Sequence, residues 1–275
     1  MYRSDVVFLI ALYRNDADVL AFVRRLAEQT HRDFLVLVVC NESLDEEKFA
    51  GIASGIPYVH VLYPKKNLGY LGAAHFALEN YRVQFQTPLL TIVCNADLRI
   101  QSNDLIEGLL QHATSENVGV VAPSVTSGFS GNDTNPYLSK RYAKNYLKML
   151  KTVYGVYPVY ALYESLALVK SKFWIAKKKP VAAPNETYAV YGAFMAFTKP
   201  FFERGGTLKY DAFLYGEEIF IGEQCRRLQL KVIHDSRFNV IHDEHSTTGF
   251  IKSPRHVTYL HQSIAFNLSR FYDER

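Results

Sequence analysis

The sequence predicts an α/β protein with a mostly parallel sheet that carries helices on both faces. Over the first 125 residues, short apolar runs of strand length alternate with segments of helical spacing. The runs are apolar throughout, which is typical of strands buried on both faces. Strands that alternate with helices at this spacing form parallel sheets with right-handed crossovers. We therefore expect residues 1–125 to form a nucleotide-binding half.

The elements of this half are predicted from the apolar runs and from the helical segments between them. The predicted strands are residues 6–13, 34–40, 58–63, 88–94 and 118–123. The predicted helices are residues 16–28, a short helix from 45, a helix that opens with the loop 66–72 and runs to about 81, and residues 104–112.

The alternation breaks after a loop rich in Gly, Ser and Asn at 127–136, and the second half, 126–275, continues the same domain. Residues 137–157 predict a helix with Leu138, Tyr142, Tyr146, Met149 and Val153 on one face and Lys140, Lys144, Lys148 and Lys151 close to the opposite face. A second helix is predicted at 159–174, and Lys177-Lys178-Lys179 closes the basic segment 137–179. Further predictions are strands at 187–198, 231–234 and 238–242, a helix that ends near 229, and a closing helix at 255–272.

Composition and charge limit the classes of protein that fit. The chain has 275 residues, 48% of them hydrophobic, which is enough for a full core. Its three cysteines are widely spaced, no apolar run is long enough to span a membrane and no signal segment precedes the first strand, so we expect a cytoplasmic protein. The net charge is +4, but residues 131–180 alone carry +8.

That basic segment has two interpretations. Lysines beside aromatic residues suit the headgroup region of an anionic membrane. Alternatively, the helix packs on its own domain and its lysine face is solvated. Nucleic-acid binding is not expected, because the segment lacks the pattern of any known nucleic-acid-binding fold.

One predicted strand end carries a candidate metal ligand. Asp97 follows the buried run 88–94, within Asn95-Ala96-Asp97. In open α/β sheets, ligands collect beyond the carboxyl ends of the strands, and a carboxylate there is a hard ligand for a divalent cation and its phosphates. The alternative is that these three residues are only a polar turn.

Two further patterns carry a chemical and a structural interpretation each. The loop from Asn67 to Gly72 lacks the G-x-G-x-x-G spacing and follows the third strand, which argues against an NAD-dependent oxidoreductase, but its glycines suit either close approach to a ligand or a tight turn. The adjacent Glu217 and Glu218 at a predicted helix start either complement the helix dipole or supply a general base, since two neighbouring carboxylates raise the proton affinity of one of them.

Six short motifs occur together in one order: Cys40-Asn41-Glu42-Ser43-Leu44-Asp45, Asn67-Leu68-Gly69-Tyr70, Asn95-Ala96-Asp97, Gly192-Ala193-Phe194-Met195, Phe213-Leu214-Tyr215-Gly216-Glu217-Glu218, and Ile241-His242 through Ser246. In this order and over residues 5 to 250, the sequence resembles family-two glycosyltransferases of the GT-A fold. The resemblance is greatest to bacterial rhamnosyl- and galactosyltransferases of surface polysaccharide synthesis.

The resemblance implies inverting transfer of a sugar from a UDP- or dTDP-sugar to an acceptor hydroxyl on a glycan that is carried on a lipid. Asp97 and His242 would bind Mn²⁺ or Mg²⁺, and Glu218 would be the catalytic base, with Glu217 a second candidate. Residues 126–275 would bind the acceptor, at the inner face of the cell membrane. The residues expected to contact the donor are Ala11, Tyr13, Asn15, Cys40, Asn41, Glu42, Asn67, Gly69, Asn95, Ala96, Asp97, Gly192 and Ala193.

The sequence departs from the family pattern at two of these positions. Cys40 stands where the family usually has an aspartate that contacts the nucleotide base, and Glu218 stands where aspartate is commoner. One added methylene moves a carboxylate by about an ångström, which matters for proton transfer. A second hypothesis therefore stays open, in which the chain binds sugar nucleotides or glycans without catalysing transfer.

Overall fold

A computed structural model of the chain describes residues 1–173, 184–243 and 252–273, with the side chains of 168–173 excepted. Lys177-Lys178-Lys179 of the basic segment and the last residues of the motif Ile241-His242 through Ser246 lie outside the described residues. The described strands are β1 Val6–Tyr13, β2 Phe34–Glu42, β3 Val59–Leu62, β4 Leu90–Cys94, β5 Leu98–Ile100, β6 Val118–Ser127, β7 Asn185–Thr187, β8 Phe194–Thr198 and β9 Lys231–His242. The described helices are α1 Asp16–Leu26, α2 Glu46–Ala53, α3 Tyr70–Arg82, α4 Leu105–Ala113, α5 Lys144–Tyr154, α6 Tyr157–Phe173, α7 Lys199–Glu203, α8 Glu217–Arg227 and α9 Pro254–Phe271.

The described strands form a single sheet in the order β3-β2-β1-β4-β8-β6-β9-β5, and β7 also pairs with β9. Strands β1 to β4, β6 and β9 run in one direction, whereas β5, β7 and β8 run in the other. The predicted mostly parallel sheet is therefore confirmed. Strand β8 from the second half lies between β4 and β6 of the first half, so the two halves share one sheet.

Alternating side chains of the central strands belong to two buried clusters, one on each face of the sheet. In β1, Val7 and Leu9 pack with α3, α8 and α9, whereas Phe8 and Ile10 pack with α1 and α4. Fully buried parallel strands place apolar residues on both faces, which is why these runs lack polar alternation. Helices accordingly cover both faces, as predicted.

Segments of the second half differ from the predictions. Residues 187–198 were expected as one strand, but β7 ends at Thr187 and β8 begins at Phe194. The intervening backbone turns away from the sheet, where Tyr191 N–H donates to Asn135 Oδ1 at 2.7 Å. The two short strands expected at 231–234 and 238–242 form one continuous strand, β9, whose pairing with β6 shifts register between Pro123 and Ser124.

The basic helix is shorter than predicted and buries a different face. It begins at Lys144, and Leu147 and Leu150 are its buried residues. Tyr146 and Met149, from the predicted apolar face, remain 37% and 40% exposed. The helix packs between α6 and α9, so its inner face lies between the predicted apolar and basic faces. Among the described helices, none is long and apolar enough to cross a membrane.

Candidate active site

Two strand ends bring Asp97, His242 and Asn95 together. Asp97 follows β4, and His242 is the last residue of β9, which pairs with β5 so that Leu98 lies opposite His242. Asp97 Oδ1 lies 3.1 Å from His242 Nε2, and the same nitrogen lies 3.2 Å from Asn95 Nδ2. The sequence separates Asn95 from His242 by 147 positions, and the β5–β9 pairing closes that separation.

Arg99 and Asp243 form an ion pair next to the same two strand ends. The Arg99 guanidinium forks onto Asp243, with Nη2 2.7 Å from Oδ1 and Nε 2.8 Å from Oδ2. The Asp243 backbone N–H also donates to the Asp97 carbonyl at 3.0 Å. Sequence reasoning missed this pair, because its only signal is the position of each residue next to a candidate ligand.

The Asp97 and His242 donor atoms fit a divalent cation. Cations such as Mg²⁺ bind oxygen and nitrogen ligands octahedrally at about 2.1 Å, which places neighbouring ligand atoms about 3 Å apart. The 3.1 Å separation of Asp97 Oδ1 and His242 Nε2 meets that requirement. Across the described residues, no group of three or more His, Cys, Asp or Glu side chains could hold a metal ion. Further ligands would come from outside this pair of side chains, as water or as phosphate oxygens of a bound molecule.

The second part of the site is the start of α8. Tyr215 and Gly216 have φ angles of 69° and 74°, and this left-handed turn aims the first helical residues, Glu217 and Glu218, at the sheet edge. Glu218 Oε1 accepts a hydrogen bond from Gly192 N–H at 3.2 Å. Glu217 is 6% exposed and lies deeper in the protein.

Burial raises the pKa of both carboxyl groups. Burial is the largest cause of the raised pKa of Glu217, and the charge of the neighbouring Glu218 raises this pKa further. For Glu218, burial raises the pKa, and the Gly192 N–H opposes that shift. A raised pKa strengthens a carboxylate as a proton acceptor near neutral pH. Of the two, Glu218 is the more exposed and contacts the loop that leads to the metal ligands.

A short backbone path connects the two parts of the site. Asn95 N–H donates to the Ala193 carbonyl at 2.9 Å. The preceding residue, Gly192, bonds Glu218 through its N–H, and its carbonyl accepts from Tyr70 O–H at 2.6 Å. A Cβ at Gly192 would lie 3.0 Å from Glu218 Oε1, so glycine permits this close approach. The sequence indicated Gly192 as a donor contact, whereas Tyr70 belonged to one of the six motifs without a predicted role.

The Asn67 to Gly72 loop is held from the end of β2. Asn41 Oδ1 accepts from Leu68 N–H at 2.9 Å, and Asn41 Nδ2 donates to the Gly69 carbonyl at 3.1 Å. Gly69 has a φ of 72°, and a Cβ there would lie 2.1 Å from the Phe213 carbonyl oxygen. Asn67 Oδ1 accepts from Gly69 N–H at 2.9 Å. This loop therefore contacts the Phe213 segment that leads into α8.

Several of the remaining predicted donor contacts lie near the ends of β1 and β2. Ala11, Tyr13 and Asn15 lie at the end of β1 and the start of α1, where Asn15 Oδ1 accepts from Tyr13 N–H at 2.9 Å. Glu42 pairs with Arg14, and its Oε1 accepts from Arg14 Nε at 2.6 Å.

Five of the predicted donor contacts are buried: Cys40, Gly69, Ala96, Gly192 and Ala193. Cys40 is 7% exposed and packs in the core cluster that includes Phe8, and burial raises the pKa of its thiol to about 11. Its neutral thiol therefore cannot replace the charge of the family's aspartate. Ala96 and Ala193 are each 4% exposed, so only their backbones could contact a ligand.

Two tyrosines that the sequence did not single out lie beside the site. Tyr137 and Tyr191 stack with centroids 6.1 Å apart, and the Tyr191 centroid lies 5.9 Å from that of the His242 ring. The Glu218 charge is the largest cause of the raised pKa of Tyr137, which places this hydroxyl near the Glu218 carboxylate. Isolated tyrosines in loops have no sequence spacing that would reveal such a placement.

Comparisons with known proteins show which family and which solved structures this chain is similar to. The family described as "Glycosyl transferase family 2" matches residues 7–175. No curated protein matches the chain significantly by sequence. Among solved structures, GalNAc-T7 with UDP, GalNAc and Mn²⁺ aligns with a TM-score of 0.59 at 14% identity, over 87% of this chain and 44% of that one. The mannosyltransferase PcManGT from Pyrobaculum calidifontis, with GDP-Man and Mn²⁺, aligns with a TM-score of 0.56 at 15% identity, over 100% of this chain and 66% of that one.

These structural likenesses show the fold, and this chain spans less than two thirds of either protein's length. The family match covers more than half of the chain. It also covers Asn41, the Asn67 to Gly72 loop and Asp97, which the structure places at one edge of the sheet. This chain therefore belongs to glycosyl transferase family 2, with the GT-A fold.

Proposed function

We propose that this protein is a metal-dependent, inverting glycosyltransferase that moves a sugar from a nucleoside diphosphate to an acceptor hydroxyl. The observation that carries the proposal is the 3.1 Å approach of Asp97 Oδ1 to His242 Nε2, with Glu218 attached to the same edge through Gly192. Such a transfer needs two side chains that bind a metal ion, here Asp97 and His242, beside a buried carboxylate.

The candidate metal ligands Asp97 and His242 and the loop of residues 67–72 would hold the donor. A Mn²⁺ or Mg²⁺ ion there would neutralise charge on the departing diphosphate. Backbone groups of the loop would contact the nucleotide, and the loop can pack closely against the Phe213 carbonyl because Gly69 has no side chain. Asn41 fixes the loop from β2 and so determines where those backbone groups lie.

Glu218 would act as the general base. It takes the proton of the acceptor hydroxyl while the acceptor oxygen forms a bond to the anomeric carbon and the bond to the diphosphate breaks on the opposite face. A positioned base contributes roughly 10²- to 10⁴-fold in rate. Glu217 is less suited to contact an acceptor, because it is 6% exposed.

For the finer identity, we propose a UDP- or dTDP-hexose or rhamnose donor and a lipid-linked glycan acceptor, in bacterial surface polysaccharide synthesis. The resemblance of the motifs to rhamnosyl- and galactosyltransferases supports this choice. The expected place of work is the cytoplasmic face of the membrane. Binding of sugar nucleotides without transfer is the second candidate, and the substitution of aspartate by Cys40, whose thiol is buried, favours it.

A thermal-shift panel tests the donor site first. Uridine, thymidine, guanosine, adenosine and cytidine diphosphates and NAD are each added with and without Mn²⁺. A ligand at about 100 times its dissociation constant adds about 2.7 kcal/mol to the free energy of unfolding, or roughly 5 to 10 °C for a chain of this size. We expect a Mn²⁺-dependent shift with one or two diphosphates that Asp97→Ala abolishes. A metal-independent shift with NAD alone, or no shift with any diphosphate, would contradict the proposal.

Transfer itself separates the enzyme from the binding module. Radiolabelled UDP- and dTDP-sugars are incubated with a lipid extract as acceptor, and label that moves to the lipid fraction is counted. Nucleotide binding without any such transfer would favour the binding module.

A further inference from the structure

Over residues 157–167, where the structure describes its side chains, the outer face of α6 is apolar and uncharged. Val159, Leu162 and Leu166 are 46%, 61% and 61% exposed and recur at helical spacing, so they form one stripe. The exposed positions over this described stretch are Gly155, Val156, Tyr157, Pro158, Val159, Leu162, Ser165, Leu166 and Ala167, and none of them is charged. We name this surface the α6 stripe. Large exposed apolar surfaces commonly mark interaction sites.

Lysines of α5 lie next to the stripe. Lys148 and Lys151 line a groove of about 480 Å³ together with Thr152, Val156 and His261, and Val156 also belongs to the α6 stripe. Among the described residues, Asp273 is an acidic neighbour of these lysines, and it pairs with Lys144 at 2.9 Å. The groove is therefore a cationic border of an apolar surface.

The stripe is also connected to the candidate active site. Tyr142 and Tyr146 have ring centroids 4.9 Å apart, and the pKa values of both are raised in part by Tyr163 on α6. The Glu218 charge also contributes to the raised pKa of Tyr142. Tyr142 and Tyr163 also pack against the core cluster that contains Ile219, the residue after Glu218.

We infer that the α6 stripe inserts into an anionic membrane, with Lys148 and Lys151 binding lipid phosphates at its edge. A stripe of Val and Leu bordered by lysines is the pattern of an interfacial helix, in which apolar residues enter the acyl boundary and cations contact the headgroups. A protein partner would meet the apolar stripe equally well, but the adjoining lysines specify a surface with negative charge. The inference deepens the proposed function, because it would hold Glu218 near an acceptor carried on a lipid.

Sedimentation with vesicles tests the inference without donor or metal. The full chain is mixed with phosphatidylcholine vesicles and with vesicles that contain about 30 mol % phosphatidylglycerol. We expect binding to the anionic vesicles that falls as salt rises, and little binding to phosphatidylcholine alone. Inorganic phosphate at the concentration of the lipid phosphate should not prevent binding, since the stripe needs the bilayer as well as the charge. No binding to anionic vesicles, or full inhibition by free phosphate, would overturn the inference.

Two double variants with matched controls locate the surface. Leu162→Glu/Leu166→Glu should reduce vesicle binding at least tenfold, whereas Leu44→Glu/Val83→Glu, at apolar positions 72% and 86% exposed elsewhere, should not. Lys148→Gln/Lys151→Gln should reduce binding by about fivefold per lysine, whereas Lys48→Gln/Lys209→Gln should leave it unchanged. Equal losses in a variant pair and its control would overturn the assignment of the surface. Circular dichroism confirms that each variant is folded.

Two further measurements separate membrane binding from self-association and from nucleotide binding. Light scattering without lipid reports the oligomeric state, and a dimer that Leu162→Glu/Leu166→Glu converts to a monomer would mean that a second copy covers the stripe, which would overturn the inference. Asp97→Ala should bind vesicles as well as the unaltered chain does. A protein that binds vesicles but no nucleotide would thus contradict the proposed function alone.

Discussion

The metal end and the base end of the candidate site are held in different ways. At the metal end, paired strands β5 and β9 set the distance between Asp97 and His242 through backbone register. At the base end, Glu218 is the second residue of α8, and its position depends on its contact with Gly192 and on the packing of Gly69 against Phe213, which precedes α8. Register is specified by a long pattern of buried side chains, whereas loop contacts depend on single residues.

This difference implies that the two ends can be altered separately. Substitutions at the metal end should change metal and nucleotide binding and leave the fold of α8 intact. Substitutions of the glycines at the base end should move Glu218 or weaken the fold, and should leave the Asp97–His242 pair in place. Variants at each end test this separation, from the largest expected effect to the smallest.

Glu218→Gln should lower the transfer rate by about 10²- to 10⁴-fold, because the amide cannot accept the acceptor's proton. The Mn²⁺-dependent thermal shift with nucleotide should persist, since Asp97 and His242 are unaltered. Asp97→Ala is the converse variant, in which the thermal shift itself is lost. Transfer rates and melting temperatures are measured on the same preparations, and loss of nucleotide binding in Glu218→Gln would mean that the two ends are not separable.

The metal end was also the easier end to predict from sequence. Asp97 follows a continuous apolar run, which predicts a buried strand, and in open α/β sheets ligands collect at the carboxyl ends of the strands. His242 ends an apolar run in the same way, and the motif order of the resemblance added the expectation that the two meet.

Other placements depended on contacts between distant parts of the chain. Strand β8 lies between β4 and β6, and no local pattern reveals that position. The face that α5 buries was wrongly predicted for a similar reason. Tyr146 and Met149 have the right spacing, but packing against α6 and α9 selects Leu147 and Leu150. Propensity and spacing are weak where tertiary contacts decide.

Gly69→Ala should lower the free energy of unfolding by about 3 kcal/mol. The added Cβ would lie 2.1 Å from a backbone oxygen, that of Phe213, and the residue would keep a φ of 72°. Strained backbone and overpacking each contribute about 1 to 3 kcal/mol. Chemical denaturation measures the change.

Gly192→Ala is the informative comparison for that variant. Its Cβ would lie 3.0 Å from Glu218 Oε1, a side-chain atom that can rotate away. We therefore expect a small change in stability and about a tenfold loss of transfer rate, because the base moves. Gly51→Ala, with no atom within 4 Å of the added Cβ, serves as the control and should not lose stability. Equal destabilisation in all three variants would contradict the role of close contacts at the base end.

Arg99→Gln should weaken the apparent affinity for Mn²⁺ by about tenfold. The guanidinium fixes Asp243, whose N–H bonds the Asp97 carbonyl, so its loss loosens the pair of ligands. Partners that orient metal ligands typically contribute about 10- to 100-fold in affinity. Titration of Mn²⁺ against the nucleotide-dependent thermal shift measures the effect.

Arg237→Gln is a matched control for that variant. Arg237 forks onto Asp235 in the same way, and the side chains of Arg99 and Arg237 are both 47% exposed. Arg237 lies where β9 changes register, away from Asp97 and His242. Loss of its guanidinium should therefore leave the affinity for Mn²⁺ unchanged. A similar weakening in both variants would indicate a general effect of surface charge.

Glu217→Gln should change the pH dependence of stability more than it changes catalysis. Burial and the Glu218 charge raise the pKa of Glu217 above the value of about 4.3 in the unfolded chain. Between the two pKa values the folded state therefore binds more protons than the unfolded state, and the free energy of unfolding falls as pH rises. Each unit of this elevation is worth about 1.4 kcal/mol.

An amide at position 217 does not titrate, so it removes this pH-dependent contribution to the free energy of unfolding. It can still accept the hydrogen bonds of the backbones at positions 217 and 215. We therefore expect the variant to resemble the unaltered protein in stability near pH 4 and to be more stable at pH 8. Urea denaturation at both pH values measures the difference, and parallel curves would show that burial does not raise this pKa. Transfer activity should persist near neutral pH, because Glu218 contacts the loop that leads to the metal pair, whereas Glu217 lies behind it. Loss of transfer in Glu217→Gln as large as that in Glu218→Gln would mean that the two carboxylates act together, and the base end would then include the more deeply buried Glu217.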